Sequence, residues 1–216
     1  NIKTQNKVDQ QNMNQNQMQG KQVSENMPDM MNHGGHELFD AHEVIGGVIG
    51  MLDQYKMYEQ HVQDTELKSM MQRHSNFVTN LYNTMLDTFQ TGKDPSQPTQ
   101  TYNMSQSNDV IYGMKPGGQP KKPIQSMNEI SDECISSFMM SQAKGLASHM
   151  TMAALESTNP VMRRVFADSI PNMIEMAYEI FLYQNKHGYY QVPQLAQNDM
   201  TQIMQSFVKA PQNPIN

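Results

Sequence analysis

Between residues 92 and 125 the chain carries Pro95, Pro98, Pro116, Gly117, Gly118, Pro120 and Pro123. Proline removes backbone donors, and both residue types interrupt any regular element. This one stretch divides the chain. On either side lies a long run of helical periodicity, broken once by a short turn, so the chain reads as a helical hairpin, a long connection and a second helical hairpin.

In the first run, Ala41, Ile45, Val48, Leu52, Tyr55 and Val62 recur at three- and four-residue steps, with Leu38 and Ile49 widening the stripe. Gly46 and Gly50, four apart, are positions where another helix can approach closely. Asp64 with Thr65 offers an N-cap for a second helix. Its stripe is Leu67, Met71, His74, Val78, Leu81 and Met85, and it stops at Thr91-Gly92, where glycine can take the left-handed cap conformation. Beyond the connection, in which Asp109-Val110-Ile111-Tyr112 is a candidate pin to the core, Ser126-x-x-Glu129 reads as a capping box. Ile135, Phe138, Leu146, Met150 and Ala153 follow. Asn159 then caps a fourth helix with Pro160 at its first position, where no bond is lost. Val165, Phe166, Ile170, Met173, Ala177, Ile180 and Phe181 form its stripe, Pro171 predicts a kink, and Gly188 ends it.

Each helix has about 26 residues and is about 39 Å long. Tight turns make each pair antiparallel, and a crossover spanning that length resets the direction of the second pair. The fold class is therefore all-α, a ferritin-like four-helix bundle of two antiparallel hairpins joined by a long crossover. The organisation is 1–32 arm, 33–91 first hairpin, 92–125 crossover, 126–193 second hairpin and 194–216 tail, with 33–193 forming one bundle. The tail is expected to add a short amphipathic helix with Leu195, Ile203, Met204 and Phe207. Residues 1–32 contain 14 Asn or Gln and no apolar periodicity. Too little apolar surface is present to offset an ordering cost of about 1–2 kcal/mol per residue, so the arm is expected to be disordered. Its Gln residues alternate with Lys3, Lys7 and Lys21, a pattern open to cross-linking.

This topology raises the question of a di-iron centre, which needs Glu-x-x-His motifs facing inward. None occurs; the fourth helix offers Glu175 and Glu179 with no histidine before His187. In hairpin register His42 lies opposite Met85 and His74 opposite Asp53, about 16 Å apart along the axis, too far to share a metal. His33 and His36 flank two glycines ahead of the first helix, and no metal site or cofactor is expected. His149 falls opposite Asp168, a candidate buried polar pair, read as a satisfied core histidine because no nucleophile or pocket accompanies it. Phosphate loops, nucleophile elbows and zinc-protease motifs are absent, and the catalytic expectation is none. Arg163-Arg164 could pair with Glu156 or Asp168.

Composition closes other routes. A single cysteine, Cys134, excludes an internal disulfide and a multi-cysteine zinc site, and is expected to be a buried, inert thiol. A net charge of -6 argues against nucleic acid, no apolar run is long enough to span a membrane, and the N-terminal residues lack a signal core. The chain holds 22 methionines. Those in the helices (Met70, Met71, Met85, Met139, Met140, Met150, Met152, Met162, Met173 and Met176) read as adaptable core filling, or alternatively as a soft interaction surface, which requires several of them to be exposed.

Thr158-Asn159-Pro160-x-x-Arg163, followed by a helix ending Lys186-His187-Gly188-Tyr189-Tyr190-x-Val192-Pro193, resembles the coat F family of spore coat proteins of endospore-forming bacteria. The resemblance covers roughly 127–195 well and 36–90 more loosely. Tyr189 stands where members often have Trp, and the glycine stretch and Met content mark a divergent member. The resemblance implies a ferritin-like bundle acting as a structural, non-enzymatic spore coat component. It would be made in the cytoplasm of the sporulating cell and pack with itself or other coat proteins, with Gln, Lys and Tyr side chains as candidate cross-linking groups. The rival readings are a ferritin-like metal-binding oxidase or metal store, and a Met-rich adaptor that binds a partner helix.

Overall fold

Asp64 starts a helix as its sequence position predicts: its carboxylate accepts from the Glu66 backbone N–H at 2.8 Å. In the computed structural model, which describes residues 33–212, this helix is α2 (Thr65–Thr91), preceded by α1 (Gly35–Tyr58). The Asn/Gln-rich arm lies outside the described residues. Gly92 closes α2 with φ 65°, its N–H bonded to the Thr88 carbonyl at 2.7 Å. The second hairpin is α3 (Asp132–Glu156) and α4 (Pro160–Lys186), turned by Asn159-Pro160; α5 (Gln197–Met204) follows. The four long helices have 24, 27, 25 and 27 residues.

Helix α1 packs on α2 and α3, and α4 packs on α2 and α3, so the helices run around the bundle in the order α1, α2, α4, α3 with every neighbour antiparallel. The crossover carries the chain back along the bundle from the Gly92 end. It is pinned near its far end by backbone pairing of Tyr112 and Gly113 with Val192. The architecture is the expected all-helical one.

The core follows the predicted stripes with local shifts. Met51 is buried where Leu52 is only half-buried, and Leu38, Ile49 and Phe138 are exposed. The close approach occurs at Gly47, not at Gly46 or Gly50. A Cβ on Gly47 would lie 2.9 Å from Leu146 Cδ2, whereas one on Gly46 or Gly50 would meet nothing within 4 Å. The register explains this: Gly47 borders the buried Val44–Val48–Met51 face, and Gly46 points outward. Ser126-x-x-Glu129 forms a 3-10 turn (Met127–Glu129) that ends at an extended Ile130; the cap of α3 is Ser131, whose Oγ accepts from the Cys134 N–H at 3.3 Å. Cys134 is thereby half-buried in the first turn instead of buried. Helix α4 is continuous through Pro171.

The methionines resolve clearly. Of the ten helical positions named above, only Met152 is exposed, at 64%; the other nine are buried. They fill the core, and among the described residues only Met173 and Met71 also line a surface pocket, one in each of two.

Candidate functional site

Two buried carboxylates, Glu179 and Glu37, each collect polar groups from several elements. Glu179 lies on α4 between Met176 and Ile180, on the inward face. His74 lies on the stripe of α2. Their side chains have no exposed surface, and His74 Nε2 is 2.8 Å from Glu179 Oε2. The Tyr102 hydroxyl, from the crossover, donates to the same oxygen. The other oxygen accepts from Arg73 Nη2 at 2.8 Å, from the Ser105 N–H at 3.0 Å and from Ser105 Oγ at 3.1 Å. Two helices and the crossover therefore meet on one carboxylate.

The charge state follows from the donors. Burial alone would raise the Glu179 carboxyl; hydrogen bonds from His74, Tyr102 and the Ser105 backbone outweigh it and hold the group far below the usual carboxylate range. Burial pushes His74 down, so its imidazole is neutral. An ionised carboxylate can only accept, so Nε2 carries the ring proton, and Arg73 supplies the balancing charge. The Tyr102 ring stands edge-on to His74, with centroids 5.2 Å apart, and Tyr55 stacks on the same imidazole at 6.4 Å. Burial raises the Tyr55 and Tyr102 hydroxyls, which stay protonated. A carboxylate with its lone pairs occupied by donors and its basicity depressed is a poor general base. Its chemistry is that of a clasp.

The second carboxylate, Glu37, sits in the first turn of α1. It accepts from the Gly34 N–H at 2.9 Å, the Thr158 hydroxyl at 3.0 Å and the Asn159 N–H at 3.0 Å. Asn159 caps α4 by accepting from Val161 and Met162 N–H groups, and its amide donates to the Gly92 carbonyl at 2.9 Å. The Asn-Pro turn thus ties the start of α1, the end of α2 and the α3–α4 turn together. At the opposite end Asp132 accepts from the Gln63 and Asp64 N–H groups, and Tyr183 donates to Asp64 at 3.0 Å.

The aromatic exit is fixed in the same way. Gly188 has φ 75°, which lets the Tyr189 and Tyr190 N–H groups both reach the Gln184 carbonyl. The Asn185 amide donates to the carbonyls of Ile111 and Tyr190, each at 2.9 Å, and its oxygen accepts from the Ile111 N–H at 2.6 Å. Tyr189 packs against Tyr183 and His187. Tyr190 and Pro193 are exposed, as is Arg163.

The pairing of His149 with Asp168 is corrected. Both are exposed, and Asp168 lies 3.6 Å from Arg164 instead. His149 precedes the inward Met150 and Asp168 precedes the inward Ser169, so opposition in register places both on the outer face. The buried histidine–carboxylate pair joins different hairpins. Hairpin register cannot reveal such a pair, although a histidine within an apolar stripe signals that a partner is needed. Among the described residues, no three His, Cys, Asp or Glu side chains converge as a metal-holding group, and no helix is long and apolar enough to cross a membrane.

The coat F domain pattern matches residues 131–193, from the cap of α3 to the end of the aromatic exit. The spore coat protein F-like protein YhcQ of Bacillus subtilis (strain 168) is 51% identical over 197 residues, covering 90% of each chain. The chain belongs to the coat F family. Among solved structures, a protein of Bacillus halodurans C-125 named for a proposed role as a spore coat protein shares the fold. It has a TM-score of 0.55 at 12% identity and covers 76% of this chain and 96% of its own. The residues that carry the sequence resemblance now have physical roles in this coat F protein: Asn159 and Pro160 form the turn on Glu37, and Gly188 with Tyr189 and Tyr190 form the exit held by Gln184 and Asn185.

Proposed function

We propose that this coat F protein is a non-enzymatic structural component of the spore coat. It is made in the cytoplasm of the sporulating cell and acts by packing with itself or with other coat proteins. The observation that carries this reading is the saturation of Glu179: the central buried carboxylate is occupied by donors from α2 and the crossover, which serves rigidity and leaves no free base. Family membership and the 51% identical relative support the location. In this reading Tyr190 and the Gln- and Lys-containing arm (Lys3, Lys7, Lys21) supply contact or cross-linking groups.

Fractionation of purified spores, with immunogold labelling of sections, tests the location. The protein is expected in the coat fraction, and recovery from the core or cytoplasm alone overturns the reading. Metal analysis of the purified protein tests the mode of action, and stoichiometric iron or manganese would support the oxidase or store instead. Peptide mass spectrometry of spores tests cross-linking; Gln–Lys or Tyr–Tyr linked peptides are expected, and unmodified peptides alone remove that part.

A further inference from the structure

Among the described residues, two apolar surfaces that could complement one another are open to solvent. One is an open groove of about 470 Å³ on the outer face of the second hairpin. Ala147 on α3 and Ile174, Ala177, Tyr178 and Phe181 on α4 line it, with Tyr190. The Lys144 ammonium stands at one rim, 5.9 Å from the Tyr190 ring centroid. Ile174 is 58% exposed despite its place mid-helix.

The other surface is α5. Ala196, Met200, Ile203, Met204 and Phe207 fall at the spacing that puts them on one helical stripe, with Phe207 just past the last turn. None of the residues of α5 is buried; Ile203 is 57% exposed and Phe207 87%. An isolated helix of 8 residues is marginal in water, and helices of this kind gain their stability from the surface they cover. An amphipathic helix presenting anchors three and four residues apart is the usual occupant of a groove between two helices. The charges also match: exposed Asp199 in the first turn of α5 complements Lys144. Tyr190, which lines the groove, is only seven residues from the start of α5, yet the helix does not cover the groove of its own chain.

We propose that α5 of one copy docks in the α3–α4 groove of a second copy, and that the exchange is reciprocal about a two-fold axis. This inference rests on the structural-component reading and names its first contact. Such an interface is isologous, so two helix-in-groove contacts form in one dimer. The apolar face that the bundle leaves open is then covered by a segment the same sequence supplies.

Sedimentation velocity of the full chain across a concentration series tests this. The wild-type chain is expected to dimerise. Ile203→Asp (helix side) and Ile174→Asp (groove side) each place a charge in the contact and are expected to weaken self-association about 30-fold or more. Both residues are solvent-exposed in the single chain, so circular dichroism and the thermal midpoint of the monomer should be unchanged. Mixing the two variants retains one intact helix and one intact groove, and a mixed dimer tighter than either variant alone is expected. A wild-type chain that stays monomeric throughout, or variants that dimerise as tightly as wild type, overturns the inference. Spore fractionation is independent of this outcome: a monomer found in the coat leaves the functional reading standing, and a dimer found only outside the coat defeats that reading while keeping the interface.

Discussion

His74 on α2 and Glu179 on α4 meet 2.8 Å apart with neither side chain exposed, which joins the two hairpins through their interior. Glu179 also receives Arg73, Tyr102 and Ser105, so the pair holds the crossover as well. Removing one partner of a buried, hydrogen-bonded charge pair strands the others. Glu179→Ala is expected to cost about 3–5 kcal/mol, read by urea unfolding. Hydrogen exchange should speed up at the amides near Tyr102 and Ser105 before it does in α1. Uniform loss across the molecule would show that the clasp does not hold the crossover specifically.

The same pair makes the fold acid-sensitive. Burial lowers His74 from its ordinary 6.5, so as pH falls below about 6.5 the unfolded chain takes up a proton that the folded chain refuses. Stability then drops with decreasing pH, by up to about 1.4 kcal/mol per pH unit for one proton. Glu179 is depressed from 4.5, so its contribution is complete above that value and is lost as pH falls further. Both effects have the same sign. His74→Gln keeps a donor toward Glu179 without titrating, and thermal midpoints measured from pH 7 down should be flatter between about 6.5 and 5 than for wild type. An unchanged slope would assign the acid loss to other groups.

Much of this arrangement could be read from residue order, and the remainder shows where one-dimensional patterns stop. Asp64, Gly92, Asn159 and Gly188 act on their own neighbours, so their roles as caps and stops appear directly in the sequence. The stripes placed His74 inside. Its partner Glu179 lies 105 residues away on the other hairpin, and only the pairing of hairpins across the bundle brings the two together. The same holds for Tyr102, which comes from a stretch with no periodicity. His149 and Asp168 illustrate the converse: register places residues opposite one another but does not say on which face, and a shift of one residue separated them from the interior. Glu37 carries no signal in the sequence beyond its place in the first turn of α1, because its bonds to Thr158 and Asn159 depend on the crossover's return.

Asn159 joins local capping to long-range closure. Asn159→Ala removes the acceptor for Val161 and Met162 and the donor to Gly92, and is expected to cost more than the roughly 1–2 kcal/mol of a cap alone. Asn159→Asp separates the two roles. It keeps the cap but loses the amide donor and sets a second carboxylate near Glu37, so it should recover only part of the loss in thermal unfolding. Full recovery would reduce Asn159 to a simple cap.

The glycines of α1 give a last test, because their environments differ within one turn. Gly46 and Gly50 have open space where a Cβ would go, so alanine there adds helix propensity without a clash. Each substitution should stabilise the chain by about 0.5–1 kcal/mol. Gly47→Ala gains the same propensity but brings its Cβ to 2.9 Å from Leu146 Cδ2. Leu146 is buried and close-packed, so its rotamer must shift against neighbours, and overpacking of this kind commonly costs about 1–3 kcal/mol. The net expectation is a loss at Gly47 beside gains at its two neighbours, compared by urea midpoints. Leu146→Ala combined with Gly47→Ala should remove the steric part, so the double variant should be more stable than the sum of the two single effects. Strict additivity would mean that the Gly47–Leu146 contact does not set the α1–α3 approach.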